Sequence, residues 1–281
     1  MTQKIYQIIT DRIIDMLDAG TVPWRKPWKN ACELPQNLIS KKAYRGINIL
    51  TLGASGYGSP YWLTFKQAKS LGGMVRKGEK GTPVVFWKFI DVTDKETGEE
   101  KRVPLLRYYT VFNVEQTDGI DESKIPAVAE LPDNFNPIDE AEKIIDESED
   151  LPEIKHAGDR AFYRPSTDTI TMPKQSQFFG TEEYYSTLFH ECVHSTGHES
   201  RLDRLSKDAS FGSTDYSKEE LVAEMGAAML CGLTGIETAT IENSAAYIDG
   251  WRKKINDNVK LVITAAGKAQ KAVDYILNIR N

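Results

Sequence analysis

Cysteine and histidine are scarce in this 281-residue chain, which contains 3 cysteines and 4 histidines. The cysteines, at positions 32, 192 and 231, are odd in number and widely spaced, so neither a disulfide framework nor a cysteine zinc knuckle is expected. Long apolar runs are also missing. No segment approaches the roughly 18 residues of a membrane-spanning helix, and acidic residues interrupt the N-terminus, unlike a secretory signal. We therefore expect a reduced, cytoplasmic protein with no membrane partner.

The net charge of -6 conceals an uneven distribution of charge along the chain. Residues 1–116 contain 18 Lys and Arg against 11 Asp and Glu, which is a net +7. Residues 117–281 contain 17 against 30, which is a net -13. A basic part followed by an acidic part predicts that the first meets a polyanion such as DNA and that the second has another task.

Periodicity and turn signals predict an α+β chain of two domains, at 1–125 and 126–281. The first is expected to be a small α+β DNA-binding domain, and the second a mainly helical domain with a short β-hairpin. An acidic, proline-containing linker within 117–155 separates them. Helices are predicted at 2–19, at YWLTFKQAKSLG, within NPIDEAEKIIDESED, and near 182–196, 217–231 and 243–278, the last one broken. Strands are predicted in TPVVFWKFIDV, in VPLLRYYTVFNV, and in AFYRPSTDTITMP, which forms the hairpin.

The segment LFHECVHSTGHESRLDR, residues 188–204, holds three of the four histidines. His190 and His194 are one helical turn apart, so both imidazoles can reach one ion at about 2.0–2.1 Å. Glu191 lies between them as a general base for a water molecule. The pattern predicts a catalytic Zn²⁺ site, and another divalent ion such as Mn²⁺ would suit it. The alternative is an ordinary helix whose two histidines are hydrogen-bonded in a core.

A catalytic zinc needs a third protein ligand. The metzincin pattern fails because Ser200 stands where its last histidine would be. His198 would reach the ion only if the helix continued through Gly197, a residue that usually ends one.

The third ligand is therefore sought in the helix EELVAEM. We assign Glu220 as the ligand, with Glu219 and Glu224 as alternatives, although Ser217 and Glu220 would also form a helix-capping box. Glu224, one turn further on, is assigned to orient a ligand imidazole, as in gluzincins.

A peptide or protein is the expected substrate of such a site. The hairpin strand with Ile170, Thr171 and Met172 is a candidate for pairing with an extended peptide, and the alternative is a strand that merely closes the domain. Four side chains are candidate donors to a developing oxyanion, namely Tyr163, Tyr216, Arg201 and Arg204.

Cations alternate with aromatic residues in the basic part. Bases stack on exposed rings while Lys and Arg follow the phosphates, which is how single-stranded DNA is held. The residues assigned to DNA are Arg25, Lys26, Arg45, Trp62, Lys66, Arg76, Lys77 and Lys80. For each of them the alternative is a core aromatic residue or a solvated charge.

Several segments in order resemble the ArdC-type antirestriction proteins of mobile elements, which are related to TraC-type DNA primases. These segments are PWRKPW, PQNLISKKAYRGIN, PYWLTFKQAKSLGGMVRKGEKGTPVVFWK, ITMP, LFHECVHSTGHESRLDR and FGSTDYSKEELVAEMGAAMLCG. The resemblance implies a single-stranded DNA-binding domain, a zincin-like metallopeptidase domain, and protection of incoming DNA from host restriction. It also implies metal at His190 and His194, a base at Glu191 and a third ligand within EELVAE.

Two other functions compete with this one. The first is a DNA-binding module with a structural, non-catalytic metal, which four protein ligands would favour, whereas three ligands and an open position favour a zinc metallopeptidase. The second is a peptidase toxin, which the basic N-terminal part and the missing signal segment disfavour.

Overall fold

The computed structural model describes residues 2–24, 34–93, 100–127, 136–205, 214–236 and 245–279. Within these ranges the N-terminal part contains helices α1 to α3 and strands β1 to β6. They are α1 (Thr2–Asp18), β1 (Gln36–Asn37), α2 (Ile47–Gly53), β2 (Tyr61–Thr64), α3 (Phe65–Ser70), β3 (Met74–Val75), β4 (Thr82–Thr93), β5 (Glu100–Asn113) and β6 (Thr117–Asp118).

The long antiparallel hairpin of β4 and β5 dominates the N-terminal part. Both strands are rich in β-branched and aromatic residues, which favour a pleated surface, and they pair from Thr82↔Val111 to Thr93↔Glu100. Strand β2 pairs with the other edge of β5, and β1 completes a four-stranded sheet in the order β1-β2-β5-β4. The two predicted strands are confirmed.

The segment YWLTFKQAKSLG is only partly a helix, so that prediction was half wrong. Tyr61–Thr64 is strand β2, and the helix begins at Phe65 because Thr64 caps it. The Thr64 hydroxyl accepts a hydrogen bond from the Gln67 backbone at 3.3 Å, and the Gln67 side chain accepts one from the Thr64 backbone at 2.8 Å. This reciprocal capping box defines where the strand ends.

The C-terminal part contains five helices and three strands in the described ranges. They are α4 (Pro137–Glu147), β7 (Glu153–His156), β8 (Phe162–Arg164), β9 (Thr169–Met172), α5 (Thr181–Ser195), α6 (Thr214–Thr234), α7 (Ala245–Asp257) and α8 (Leu261–Ile276). The helices predicted near 182–196 and 217–231, the broken last helix and the AFYRPSTDTITMP hairpin are all confirmed. Strand β7 was not predicted, and it adds a parallel neighbour to β9.

Helix α1 packs against the last two helices of the chain, so the two parts share one hydrophobic core. Its residues Ile5, Ile9 and Ile13 belong to the same buried cluster as residues of α5, α6, α7 and α8, and so does Val85 of β4. The Thr10 hydroxyl also donates a hydrogen bond to the Val259 carbonyl at 2.8 Å. The buried core therefore crosses the domain boundary predicted near residue 125.

A second contact joins α2 to α8. The Gly46 backbone donates a hydrogen bond to the Gln270 side chain at 2.8 Å, and the Arg45 guanidinium pairs with the Asp274 carboxylate. Cys192 and Cys231 are free and buried, and Cys32 lies outside the described residues. Among the helices of the described ranges, none combines the length and the hydropathy of a membrane span.

Candidate metal centre

Helices α5 and α6 carry the candidate metal ligands. On α5, Leu188, Phe189, Cys192 and Val193 are buried in the core, which turns His190 and His194 toward α6. Helix α6 comes close at Gly226, where an added Cβ atom would lie 2.7 Å from a methyl group of Val193. Glycine at this position thus lets the two helices approach closely enough for a carboxylate of α6 to reach both imidazoles.

The structure brings His190, His194 and Glu220 together, with ligand atoms within 4.8 Å of one another. The two Nε2 atoms are 3.0 Å apart. The Glu220 carboxylate oxygens lie 3.6 Å from His190 Nε2 and 3.5 Å from His194 Nε2. Tetrahedral coordination at about 2.0–2.1 Å separates neighbouring ligand atoms by roughly 3.3 Å, so this nitrogen and oxygen donor set fits a divalent ion.

The electrostatics of the cluster favour a cation at its centre. Burial alone would lower the pKa of His194, but the carboxylates of Glu219 and Glu220 outweigh it and raise that pKa to about 10. Burial would raise the pKa of Glu220, but His190 and His194 hold it well below its ordinary value. Two carboxylates thus face the imidazoles, and their negative charge suits a bound divalent ion.

Glu219 supports His194 from the other side of the ring, a role that the sequence interpretation missed. Its carboxylate lies 3.5 Å from His194 Nδ1, and it accepts hydrogen bonds from Arg204 at 2.8 and 2.9 Å. Arg204 is buried and also donates to the Val193 carbonyl at 2.7 Å. The adjacent glutamates Glu219 and Glu220 in the second turn of α6, with Arg204 upstream of that helix, were the available signal.

Glu224 does not orient a ligand imidazole, contrary to the sequence prediction. It accepts a hydrogen bond from Trp24 Nε1 at 2.8 Å, and the Tyr247 hydroxyl donates to the same carboxylate oxygen. These donors come from α7 and from the segment after α1, and no sequence spacing announces them. The carboxylate beside His194 therefore belongs to Glu219, which is adjacent to Glu220, and not to Glu224, which lies one turn later.

Glu191, the candidate general base, and His198, the histidine not expected to bind the metal, lie in different surroundings. Glu191 lies on α5 between the two histidines, is buried, and its negative charge acts on His194. Helix α5 ends at Ser195, so His198 leaves the helical face and bonds through Nδ1 to the Ser200 hydroxyl at 2.8 Å. Gly197 allows this turn because an added Cβ atom would lie 2.8 Å from the Leu205 side chain.

Three predicted oxyanion donors are engaged in other contacts. The Tyr163 hydroxyl donates to Asp168 at 2.7 Å, and Arg201 bonds Asp168 at 3.0 Å and the Ser195 carbonyl at 2.8 Å. Arg204 holds Glu219, as described above. These three donors tie the β8-β9 hairpin and the loop after α5 to the metal helices. The side chain of the fourth, Tyr216, lies outside the described residues.

The strand predicted to pair with a peptide is the central one of its sheet, so that prediction was wrong. The strand order is β7-β9-β8, and Ile170 pairs with Ile154 on one side and Tyr163 on the other. Its backbone groups are therefore already used. Ile170 and Met172 are also fully buried.

The predicted DNA contacts fall into four groups. Trp62 is 1 % exposed and packs edge-on against Tyr57, so it cannot stack on a base and that assignment was wrong. Arg45 pairs with Asp274, and Arg76 bonds Glu79 at 2.9 Å and Asp118 at 3.5 Å, which offsets their charge. Lys66, Lys77 and Lys80 are exposed. Arg25 and Lys26 lie outside the described residues.

Both parts of the chain match known families. Residues 3–112 match the family described as the N-terminal domain of anti-restriction factor ArdC, and residues 139–268 match zincin-like metallopeptidases. The fold resembles the crystal structure of the antirestriction protein ArdC from plasmid R388 in its metal-free form, with a TM-score of 0.75 and 41% identity. That similarity covers 98% of this chain and 99% of the ArdC chain. This chain belongs to the ArdC antirestriction family.

The Mn(II)-bound structure of the same R388 protein is equally similar, with a TM-score of 0.76, 40% identity and coverage of 98% and 97% of the two chains. Together with the zincin-like match and the cluster of His190, His194 and Glu220, it indicates a divalent metal in this ArdC-family chain.

Two further relatives are similar in sequence over nearly the whole of this chain. A DNA primase TraC of Escherichia coli is 40% identical over 295 residues, which cover 98% of this chain and 20% of the primase. The protein y4eC of Sinorhizobium fredii is 37% identical over 291 residues, which cover 97% of this chain and 91% of that protein. The ArdC-family sequence thus spans only about a fifth of the primase.

Proposed function

We propose that this protein is an antirestriction factor that binds single-stranded DNA and contains a zinc metallopeptidase-type centre, and that it protects incoming mobile-element DNA from host restriction. The convergence of His190, His194 and Glu220 from two helices carries the metal part of the proposal. The net +7 of residues 1–116 supports the DNA part, because a basic surface attracts the phosphate backbone.

In this proposal His190, His194 and Glu220 hold Zn²⁺ or Mn²⁺. A bound divalent ion supplies a Lewis acid that polarises a carbonyl group and makes water more acidic. Glu191 serves as the general base and accepts a proton on its carboxylate. Glu219 faces His194 Nδ1, which leaves Nε2 directed at the ion, and the buried Arg204 keeps Glu219 in place.

The number of protein ligands favours hydrolysis over the purely structural alternative. In the described part of the chain, His190, His194 and Glu220 form the cluster of suitable donors, and His198 points elsewhere. A structural zinc normally has four protein ligands, whereas three leave a position for water. From this type of site we infer a peptide or protein substrate.

A DNA-transfer assay tests the proposal. Unmodified plasmid DNA enters a restricting and a non-restricting host, each producing the wild-type protein or the Glu191→Gln variant. The wild type should raise recovery in the restricting host only. Loss of protection in a Glu191→Gln variant that keeps its metal and its DNA affinity would support hydrolysis. Full protection by that variant would instead support the DNA-binding module with a structural metal.

Direct binding tests the DNA part separately. The wild-type protein should bind a single-stranded oligonucleotide, and its affinity should fall steeply as salt rises, because phosphate contacts release counterions. Absent or salt-insensitive binding would reject this part of the proposal.

A further inference from the structure

A cavity of about 430 Å³ opens on one face of the N-terminal sheet. It is lined by Tyr44, Thr64, Phe86, Arg107 and Tyr109. Its volume lies within the roughly 300–1,000 Å³ of small-molecule sites, which is room for one nucleotide. The five lining residues include three aromatic rings and a cation but no acid.

The hairpin register places these side chains on one face. Val84 pairs with Tyr109 and Phe86 pairs with Arg107, and directly opposite residues of an antiparallel pair lie on the same side of the sheet. Tyr44, Trp62 and Val84 belong to one buried cluster. The exposed rings therefore lie next to packed side chains.

Two of the rings are half exposed and already oriented. Phe86 is 43% and Tyr109 46% exposed, and their centroids are 5.5 Å apart at 69°. Tyr44 lies 6.1 Å from Phe86. Contact among the rings limits their rotation, so a flat ligand that stacks here loses little extra side-chain freedom.

The charge near the cavity suits a nucleic acid. Within the described residues, the Arg107 guanidinium has neither an ion pair nor a hydrogen bond with another side chain. Thr64, which lines the cavity, also caps helix α3, and this helix contains the exposed Lys66 and Lys69. A strand whose base enters the cavity would therefore meet cations beside its phosphates.

We propose that this cavity binds a base of single-stranded DNA, which stacks on one of the rings of Phe86 and Tyr109 and meets the other edge-on, with Arg107 on an adjacent phosphate. The inference rests on the proposed single-stranded DNA binding and locates it on one face of the β4-β5 hairpin. Bases in a duplex are already stacked and paired, so the site selects single strands.

The other face of the same hairpin provides a matched control. Trp87 is 48% and Tyr108 44% exposed, which is close to the exposure of Phe86 and Tyr109. The register puts them on the side of Val85 and Leu106, which belong to the core shared with α1. Trp87 also contacts the Tyr6 ring at 6.4 Å.

Fluorescence anisotropy with the full chain tests the site. The probes are a thymidine oligonucleotide and an abasic oligonucleotide of equal length, which has the same phosphates but no bases. Replacing Phe86 and Tyr109 by Ala should weaken thymidine binding by about tenfold or more, with a change of less than about twofold for the abasic probe. The Trp87→Ala and Tyr108→Ala pair should bind both probes like the wild type.

The outcomes separate this inference from the DNA-binding proposal. If the wild type does not bind the thymidine probe, single-stranded DNA binding itself is refuted. If the wild type binds it and the folded Phe86 and Tyr109 variant binds equally well, the site is refuted. If that variant changes only self-association, measured by sedimentation, the face is an interface between two copies and the site is likewise refuted.

A second variant keeps the test valid if alanine disrupts the fold. Phe86→Leu preserves an apolar side chain in contact with Tyr44 but removes the aromatic face. It should retain the thermal unfolding midpoint within a few degrees and still lose several-fold in affinity for the thymidine probe. A Phe86→Leu protein that binds this probe like the wild type would overturn the stacking role.

Discussion

Trp24 donates a hydrogen bond to Glu224 across 2.8 Å, joining residues that are 200 positions apart in the sequence. The indole follows α1, and the carboxylate lies on α6 one turn beyond Glu220. Trp24 is buried and packs edge-on against Trp251, with ring centroids 6.0 Å apart. This bond connects the N-terminal part directly to the helix that carries a candidate metal ligand.

Trp24→Phe should destabilise the protein because it leaves Glu224 without one of its donors. We expect a loss of about 1–3 kcal/mol in the free energy of unfolding, measured by chemical denaturation. Trp251→Phe is the control, since it makes the same ring change without removing this hydrogen bond. An equal loss in both variants would show that ring size, and not the hydrogen bond, accounts for the effect.

Glu220→Ala and Glu224→Gln should separate metal binding from support of the fold. Without Glu220 the cluster loses its carboxylate donor, so the purified protein should lose its stoichiometric metal, measured by mass spectrometry of the ion. Glu224→Gln lies on the same helix and should retain the metal. Stoichiometric metal in the Glu220 variant would refute the ligand assignment.

Glu219→Gln should weaken metal binding without abolishing it. The change removes the negative charge beside His194 Nδ1 and leaves the three ligands in place, so we expect about a 10–100-fold loss of affinity. Competition with a chelator measures this loss, and saturating ion should still restore full occupancy. Unchanged affinity would mean that Glu219 serves only to neutralise Arg204.

The Asp168-Arg201 pair should contribute stability that depends on pH. Hydrogen bonds and charge from Arg201 hold the pKa of Asp168 below its ordinary value. The pair therefore stabilises the fold fully above about pH 4, near the unfolded pKa, and loses its contribution as the pH falls through the lower, folded pKa. Thermal midpoints of wild type and Asp168→Asn should differ at neutral pH and converge in acid. A difference that persists in acid would contradict this assignment.

Lys77→Gln and Arg76→Gln should differ in their effect on DNA binding. Lys77 is exposed, whereas Arg76 is already bonded to Glu79 and Asp118. If Lys77 contacts a phosphate, its loss should reduce the slope of log affinity against log salt by about 0.7 for a single strand. The Arg76 variant should keep the wild-type slope. The reverse pattern would show that Arg76 leaves its partners for the DNA.

Local patterns were sufficient for many of the helices and for the strands of the hairpins. The spacing of Ile5, Ile9 and Ile13 predicts α1 because apolar residues recur on one helical face. Helix α2 escaped prediction because it has only 7 residues, and its polar residues Asn48 and Thr51 are buried together with the apolar ones, so no exposed polar face marks it. Strand β7 has only four residues and lies at a sheet edge, which leaves a weak signal.

By itself, the sequence determined the placement of His190, Glu191 and His194 on one helix, because that relationship depends only on helical periodicity. The tertiary structure decided which glutamate joins them. The close approach of the helices at Gly226 brings Glu220 to both imidazoles and Glu219 to His194 Nδ1, while Trp24 and Tyr247 bind Glu224. It also buried Trp62 and exposed Phe86, because sheet pairing and packing, rather than residue type, determine which aromatic side chains reach the surface.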